Sequence, residues 1–175
     1  MAIQGVKAVF AACLAGWPLA GLAEVKLAAP DAFLIEQRFT IAAPASKVWD
    51  TLLHPEAWWP SDHTWSGDRR NLRLSGEAGA CFCERWAGGS VEHGRVVMAI
   101  PGSLLRLEAR LGPLQEMALS GVITVSLTES EGRTEMVVTH RVSGDPAHKL
   151  EAIAPVVDQV NAQQFGALAA EAAKP

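Results

Sequence analysis

Residues 33–60 read FLIEQRFTIAAPASKVWDTLLHPEAWWP. Phe33, Ile35, Phe39 and Ile41 alternate with Leu34, Glu36, Arg38 and Thr40, the period of two of a half-buried strand. The period then changes. Val48, Trp49, Leu52 and Leu53 fall at helical spacing over about residues 45–53, Pro55 ends that helix, and a second short apolar turn carries Trp58 and Trp59. A strand feeding two short helices needs a second layer to cover both apolar faces.

That layer is written further along the chain. NLRLS (71–75) predicts a short strand, and ACFCERW (80–86) with SVEHGRVVMAI (90–100) predicts a hairpin closed through Ala87, Gly88 and Gly89. SLLRLEARL (103–111) alternates strictly, and VITVSLTE (122–129) with TEMVVTHRV (134–142) makes a last hairpin. From about Pro146 to Ala173 the period becomes helical, with Leu150, Ile153, Val157, Val160, Gln164 and Leu168 three or four apart. Pro155 inside that run predicts a kink, or a restart after a short lead-in turn. The expected fold is α+β: a curved antiparallel sheet of six or seven strands around one long C-terminal helix, with two short helices after the first strand.

The chain has 175 residues, 49% hydrophobic and 19% charged, which suits one globular domain over residues 32–173. Its net charge of −4, with no basic stripe, argues against a nucleic-acid partner. Residues 1–23 differ from the rest. They carry one charge, Lys7, then the apolar run AVFAACLAGWPLAGLA with small residues at Gly21 and Ala23. This pattern predicts a secretory signal peptide cut near Ala23, a periplasmic or secreted mature protein, and no stable membrane insertion after cleavage. Retention as an N-terminal anchor is the alternative. Residues 24–31 read as a linker.

After cleavage the remaining cysteines are Cys81 and Cys83. Two apart in a strand, they share a face with parallel Cβ vectors, so two small buried hydrophobes are expected rather than a relaxed disulfide. A redox pair or soft-metal site is the alternative. The histidines lack zinc spacing, no nucleophile elbow or phosphate-cradling loop occurs, and no metal or cofactor is predicted.

The opening FTIAAPASKVWDTL, the Trp58–Trp59 pair, GACFCERW, GGSVEHGRVV, PGSLLRLEARLGPLQ and TEMVVTHRV together resemble the SRPBCC (START-like, helix-grip) superfamily. Within it they are most similar to the branch related to activators of the heat-shock chaperone ATPase. The resemblance spans about residues 33–171 and implies a sheet that grips the last helix around a cavity. It says little of function, because the superfamily holds carriers and enzymes alike. The chaperone-activating role is not carried over, since export would separate the protein from a cytosolic chaperone.

Candidate site residues follow from this layout. Trp58 and Trp59 adjoin a polar loop containing His63, and one of the pair is expected at the cavity mouth. If Gly88 and Gly89 form the turn, Glu84 lies opposite His93 and Phe82 opposite Arg95. Phe82, Glu84, Trp86, His93 and Arg95 then share one face, and Cys81, Cys83, Val96 and Met98 the other. Glu84 would orient His93, and Arg95 would meet an anionic group. An exposed cross-strand charge cluster is the competing reading. His140, in phase with Met136, Val138 and Val142, reads as a satisfied histidine at the core's edge or as a catalytic base. The expected function is binding of a small hydrophobic molecule, lipid or aromatic and polyketide-like. The alternative is a cyclase, dehydratase or isomerase using His93 or His140 with Arg95 and Glu84. A third is protein interaction through the outer sheet face.

Overall fold

A computed structural model describes residues 22–175. Eight strands form one antiparallel sheet in the order β1-β2-β8-β7-β6-β5-β4-β3. They are β1 (Leu22–Ala29), β2 (Ala32–Ile41), β3 (Leu72–Arg73), β4 (Cys81–Trp86), β5 (Gly89–Ile100), β6 (Leu104–Ala109), β7 (Ser120–Ser130) and β8 (Arg133–Ser143). Helices α1 (Ala45–Leu52) and α2 (Pro55–Trp58) connect β2 to the loop before β3, and α3 (Leu150–Ala172) closes the chain. This is the expected α+β helix-grip arrangement with eight strands.

The extra strand is a correction. Residues 24–31, read as a linker, lie largely in β1, which pairs along β2 from Leu22–Arg38 to Ala29–Ala32. Glu24, Lys26, Leu27 and Ala28 are exposed, so this edge strand lacks the apolar alternation by which strands are recognised. The expected signal segment lies outside the described residues except for its last two positions. Among the described residues, no helix is long and apolar enough to cross a membrane.

Helix α3 follows a lead-in turn, Pro146–His148, and a left-handed Lys149 (φ 53°). It runs through Pro155 as one helix, with that proline near its start and facing outward. The apolar interior falls into two clusters. The larger joins α1, α2 and the C-terminal half of α3 to the sheet through Val48, Leu52, Trp58, Phe165, Leu168, Met136 and Val138. The smaller gathers Phe33, Ile35, Leu114, Leu119, Val142, Leu150 and Ala154 beneath the start of α3.

A polar band separates the clusters. On β2 the inward residues run Phe33, Ile35, Gln37, Phe39, Ile41. On β8 they run Met136, Val138, His140, Val142, and on α3 Asn161 and Gln164 occupy the same zone. Gln37, His140, Asn161 and Gln164 are 1%, 1%, 2% and 3% exposed, so the band crosses the interior between the two apolar clusters.

Candidate functional site

The band opens into a cavity of about 590 Å³ between α3, the inner face of the sheet, and two loops. The loop after α2 contributes Trp59, His63 and Trp65. The loop after β6 contributes Leu111, Leu114 and Met117, and α3 contributes Ile153, Val157, Val160, Asn161 and Gln164. His93 and His140 reach the wall from the sheet. This volume is typical of a small-molecule site, and its lining is mostly apolar with a few polar groups.

His140 is 1% exposed and packs edge-on to Phe33, ring centroids 5.8 Å apart. The Asn161 amide nitrogen lies 3.0 Å from Nδ1, while Nε2 has no partner. Burial pushes its pKa down to about 4, so the ring is neutral at pH 7. The reading of His140 as a satisfied histidine is therefore corrected: one nitrogen is held and the other is open. Gln37 donates to the backbone oxygen and carboxylate of Asp158, at 2.8 and 2.9 Å, and its own Oε1 is unpartnered. Among the described residues four buried side-chain polar atoms lack a partner, and three of them, on His63, His140 and Gln164, belong to residues lining the cavity. Native interiors rarely leave such atoms unpaired.

Glu84 and His93 form the second polar feature. Glu84 is 0% exposed and accepts from the backbone amides of Trp65 and Ser66, at 3.0 and 2.5 Å. His93 Nε2 lies 3.1 Å from the same carboxylate. Burial alone would raise the Glu84 carboxyl, but its bonds from Ser66, Trp65 and His93 together hold it below the usual value. Burial lowers His93 against the opposing pull of Glu84. The pair is therefore a carboxylate holding a neutral imidazole through Nε2–H, with Nδ1 left as the ring's acceptor.

The hairpin turn is Ala87–Gly88 rather than Gly88–Gly89, so Trp86 pairs with Gly89 and Glu84 with Val91. That two-residue slip preserves facing. A bulge then places His93 as an extra residue between the pairs Cys83–Glu92 and Phe82–Gly94. Beyond the bulge the phase inverts. Val96 turns inward and is 1% exposed, whereas Arg95 turns outward and pairs with Glu92. The expected Glu84–His93–Arg95 group is thus corrected to Glu84–His93. Arg95 lines a separate charged hollow with Glu92, Glu108 and Arg110.

Trp86 does not reach the cavity: half-buried, its ring lies over its own hairpin turn beside Gly88 and Gly89. Phe82 is buried behind the wall, 5.2 Å from Trp59 and 5.0 Å from His93 between ring centroids. Both tryptophans of the pair are buried, at 4% and 3%, and Trp59 is the one that lines the cavity. Trp58 donates to Thr51 O at 2.8 Å inside the core, and Trp59 donates to His63 O at 3.0 Å at the cavity wall. The proline-bounded turn makes this possible by letting consecutive indoles point to different depths.

Cys81 and Cys83 are joined as a disulfide with their Cα atoms 5.3 Å apart, which corrects the expectation of two free thiols. That separation lies within the range a bridge requires. Their sulfurs and the Glu92 carboxylate form the one group of metal-ligand type among the described residues, but bridged sulfurs offer no thiolate.

Gln37 and Asn161 are not marked by the sequence reading, and Gln164 is marked only as part of the apolar stripe of the last helix. The signal was available: each is a polar residue in the apolar phase of its element. The loop residues Leu111, Leu114 and Met117 carried no such mark.

Similar folds occur in several solved structures. Protein MLL2253 from Mesorhizobium loti is 18% identical, with a TM-score of 0.57, over 79% of this chain and 95% of that one. A protein from Arthrobacter aurescens is 13% identical, with a TM-score of 0.57, over 91% and 94%. DynU16, from the dynemicin biosynthetic locus, is 17% identical, with a TM-score of 0.55, over 78% of this chain and 46% of its own. At these identities the likeness is one of fold. No curated protein sequence matches the chain. The family described as Activator of Hsp90 ATPase homolog 1-like protein matches residues 42–172, three-quarters of the sequence, and the chain belongs to that family, within the SRPBCC superfamily.

Proposed function

We propose that this protein binds a small hydrophobic molecule, lipid or aromatic and polyketide-like, in the cavity between the sheet and α3. The observation that carries this reading is the cavity of about 590 Å³, walled by Trp59, Leu111, Met117 and the apolar side of α3. Empty apolar space of that size loses packing contacts on every side, and a guest that fills it recovers them. The apolar leader in residues 1–23 supports a periplasmic or secreted location. The test is to purify the protein from its own host, extract it with organic solvent and analyse the extract by mass spectrometry. A stoichiometric lipid or aromatic compound is expected, and a consistently empty protein would count against the reading. N-terminal sequencing of the same preparation should begin near Glu24.

A second reading is an enzyme of the cyclase, dehydratase or isomerase kind. One observation favours it: Glu84 holds His93 at the cavity wall, the arrangement of a base and the group that orients it. Arg95 takes no part, because it faces solvent on the far side of the bulge. On this reading His93→Ala abolishes turnover of the extracted compound.

A further inference from the structure

The polar atoms of the wall say more than its apolar area does. Asn161 approaches His140 Nδ1 through its amide nitrogen at 3.0 Å. An amide nitrogen donates, so Nδ1 accepts and the single proton of the neutral ring sits on Nε2. His140 therefore presents an N–H donor without a partner. Gln164 presents a carbonyl acceptor, also without a partner. Asn161 and Gln164 are three apart on α3, which makes them neighbours on one face, about 5–6 Å between Cβ atoms. Donor and acceptor thus both belong to residues that line the one cavity.

Charge narrows the guest further. The lining contains no Lys or Arg, and its one carboxylate, Asp62, is exposed. His93 reaches the wall, but its N–H is given to Glu84. A carboxylate or phosphate head placed here would lose its water and meet no lysine or arginine, which is costly. A hydroxyl can accept one hydrogen bond and donate another through the same oxygen.

Resting on the binding reading above, we propose that the guest is an uncharged hydrophobic molecule bearing a hydroxyl group, and that this hydroxyl accepts from His140 Nε2–H and donates to Gln164 Oε1. Fatty acids and phosphorylated lipids are thereby disfavoured, and phenols or alcohols on a ring or chain are favoured. These two of the three unpartnered atoms on lining residues make this a site of selection rather than general greasiness. An apolar guest fills the space but leaves both unsatisfied.

The test uses the purified full chain and four probes of one shape at pH 7: naphthalene, 2-naphthol, 2-methoxynaphthalene and 2-naphthoate. Binding is followed by the fluorescence of Trp59 and Trp65, which line the cavity. The expected order has 2-naphthol about 10-fold tighter than naphthalene or 2-naphthoate. In Gln164→Met, a variant of similar volume, the advantage of 2-naphthol over naphthalene should fall toward about 3-fold. If the variant does not fold, 2-methoxynaphthalene decides from the ligand side. It keeps the acceptor but lacks the donor, and should bind at least about 5-fold more weakly than 2-naphthol. Equal affinity for these two, or 2-naphthoate binding as well as 2-naphthol, overturns the hydroxyl assignment while leaving a hydrophobic site in place. Failure of all four to bind overturns the hydrophobic site itself.

Discussion

Glu84 stands across from Val91 in the strand register, yet its carboxylate meets the ring of His93, two residues further along β5, at 3.1 Å. His93 keeps the facing of Val91 and Glu84, and the bulge inverts the phase only beyond it. The same carboxylate accepts the amides of Trp65 and Ser66, so one buried charge ties the hairpin to the loop that covers the cavity.

Glu84→Gln tests that tie. The substitution keeps the shape but removes the charge that three donors share, and one end of the amide then offers N–H groups to donors already there. A loss of about 3 kcal/mol in denaturant unfolding is expected. Hydrogen exchange at the Trp65 and Ser66 amides should accelerate beyond what the global loss accounts for.

His140 should make stability depend on pH. In the unfolded chain its ring takes a proton near pH 6.5, but in the fold only near 4. Between those values the unfolded state binds more protons, so stability is complete above pH 6.5 and declines as the pH falls toward 4. The difference is worth about 3 kcal/mol, or a melting temperature lower by about 6–12 °C. His93 and Glu84, both lowered as well, add in the same sense. Thermal melts from pH 7 to 4 should show the decline, and His140→Gln should flatten much of it.

Position, rather than residue type, should separate two tryptophans. Trp58 is buried against Trp59 and Phe165, with ring centroids at 5.3 and 6.3 Å. Trp58→Ala should cost about 3–5 kcal/mol. Trp65 is 57% exposed at the rim of the cavity, and Trp65→Ala should change stability by less than about 0.5 kcal/mol. Urea titration of both variants checks the contrast.

Most of the architecture is legible in the chain because it depends on period. The alternation of residues 33–41, the helix of 45–53 and the hairpins each announce themselves, and the family motifs agree with them. β1 escapes because its exposed residues bear no alternation. The site is less legible, since a bulge has no compositional signal in SVEHGRVV. One inserted residue sent Arg95 outside and brought Val96 in, while Glu84 and His93 still met. The polar band could have been read as polar residues out of place on three apolar faces, but only the folded register shows that Gln37, His140 and Asn161 fall in one zone.

Gly121 lies where β7 passes close to the end of β6. A Cβ there would sit 2.2 Å from the backbone oxygen of Ala109, and backbone cannot swing aside as a side chain can. Gly121→Ala should destabilise by about 2 kcal/mol or more, or shift the β6–β7 register that carries Leu111 to the cavity. Thermal denaturation gives the first outcome, and amide chemical shifts of β6 and β7 give the second.

The division of the interior by Gln37, His140, Asn161 and Gln164 gives this molecule a fault line. Oily packing resists gradual separation, whereas a seam of paired and half-paired polar groups can part and admit water at lower cost. Parting along this seam would lift the front of α3 as a flap off the smaller cluster while the larger one stays shut, and so admit a guest without general unfolding. Native-state hydrogen exchange should show amides of residues 156–161 opening well below the global unfolding free energy, and those of residues 165–170 opening only with it. Equal protection along the whole helix would mean that the flap does not exist.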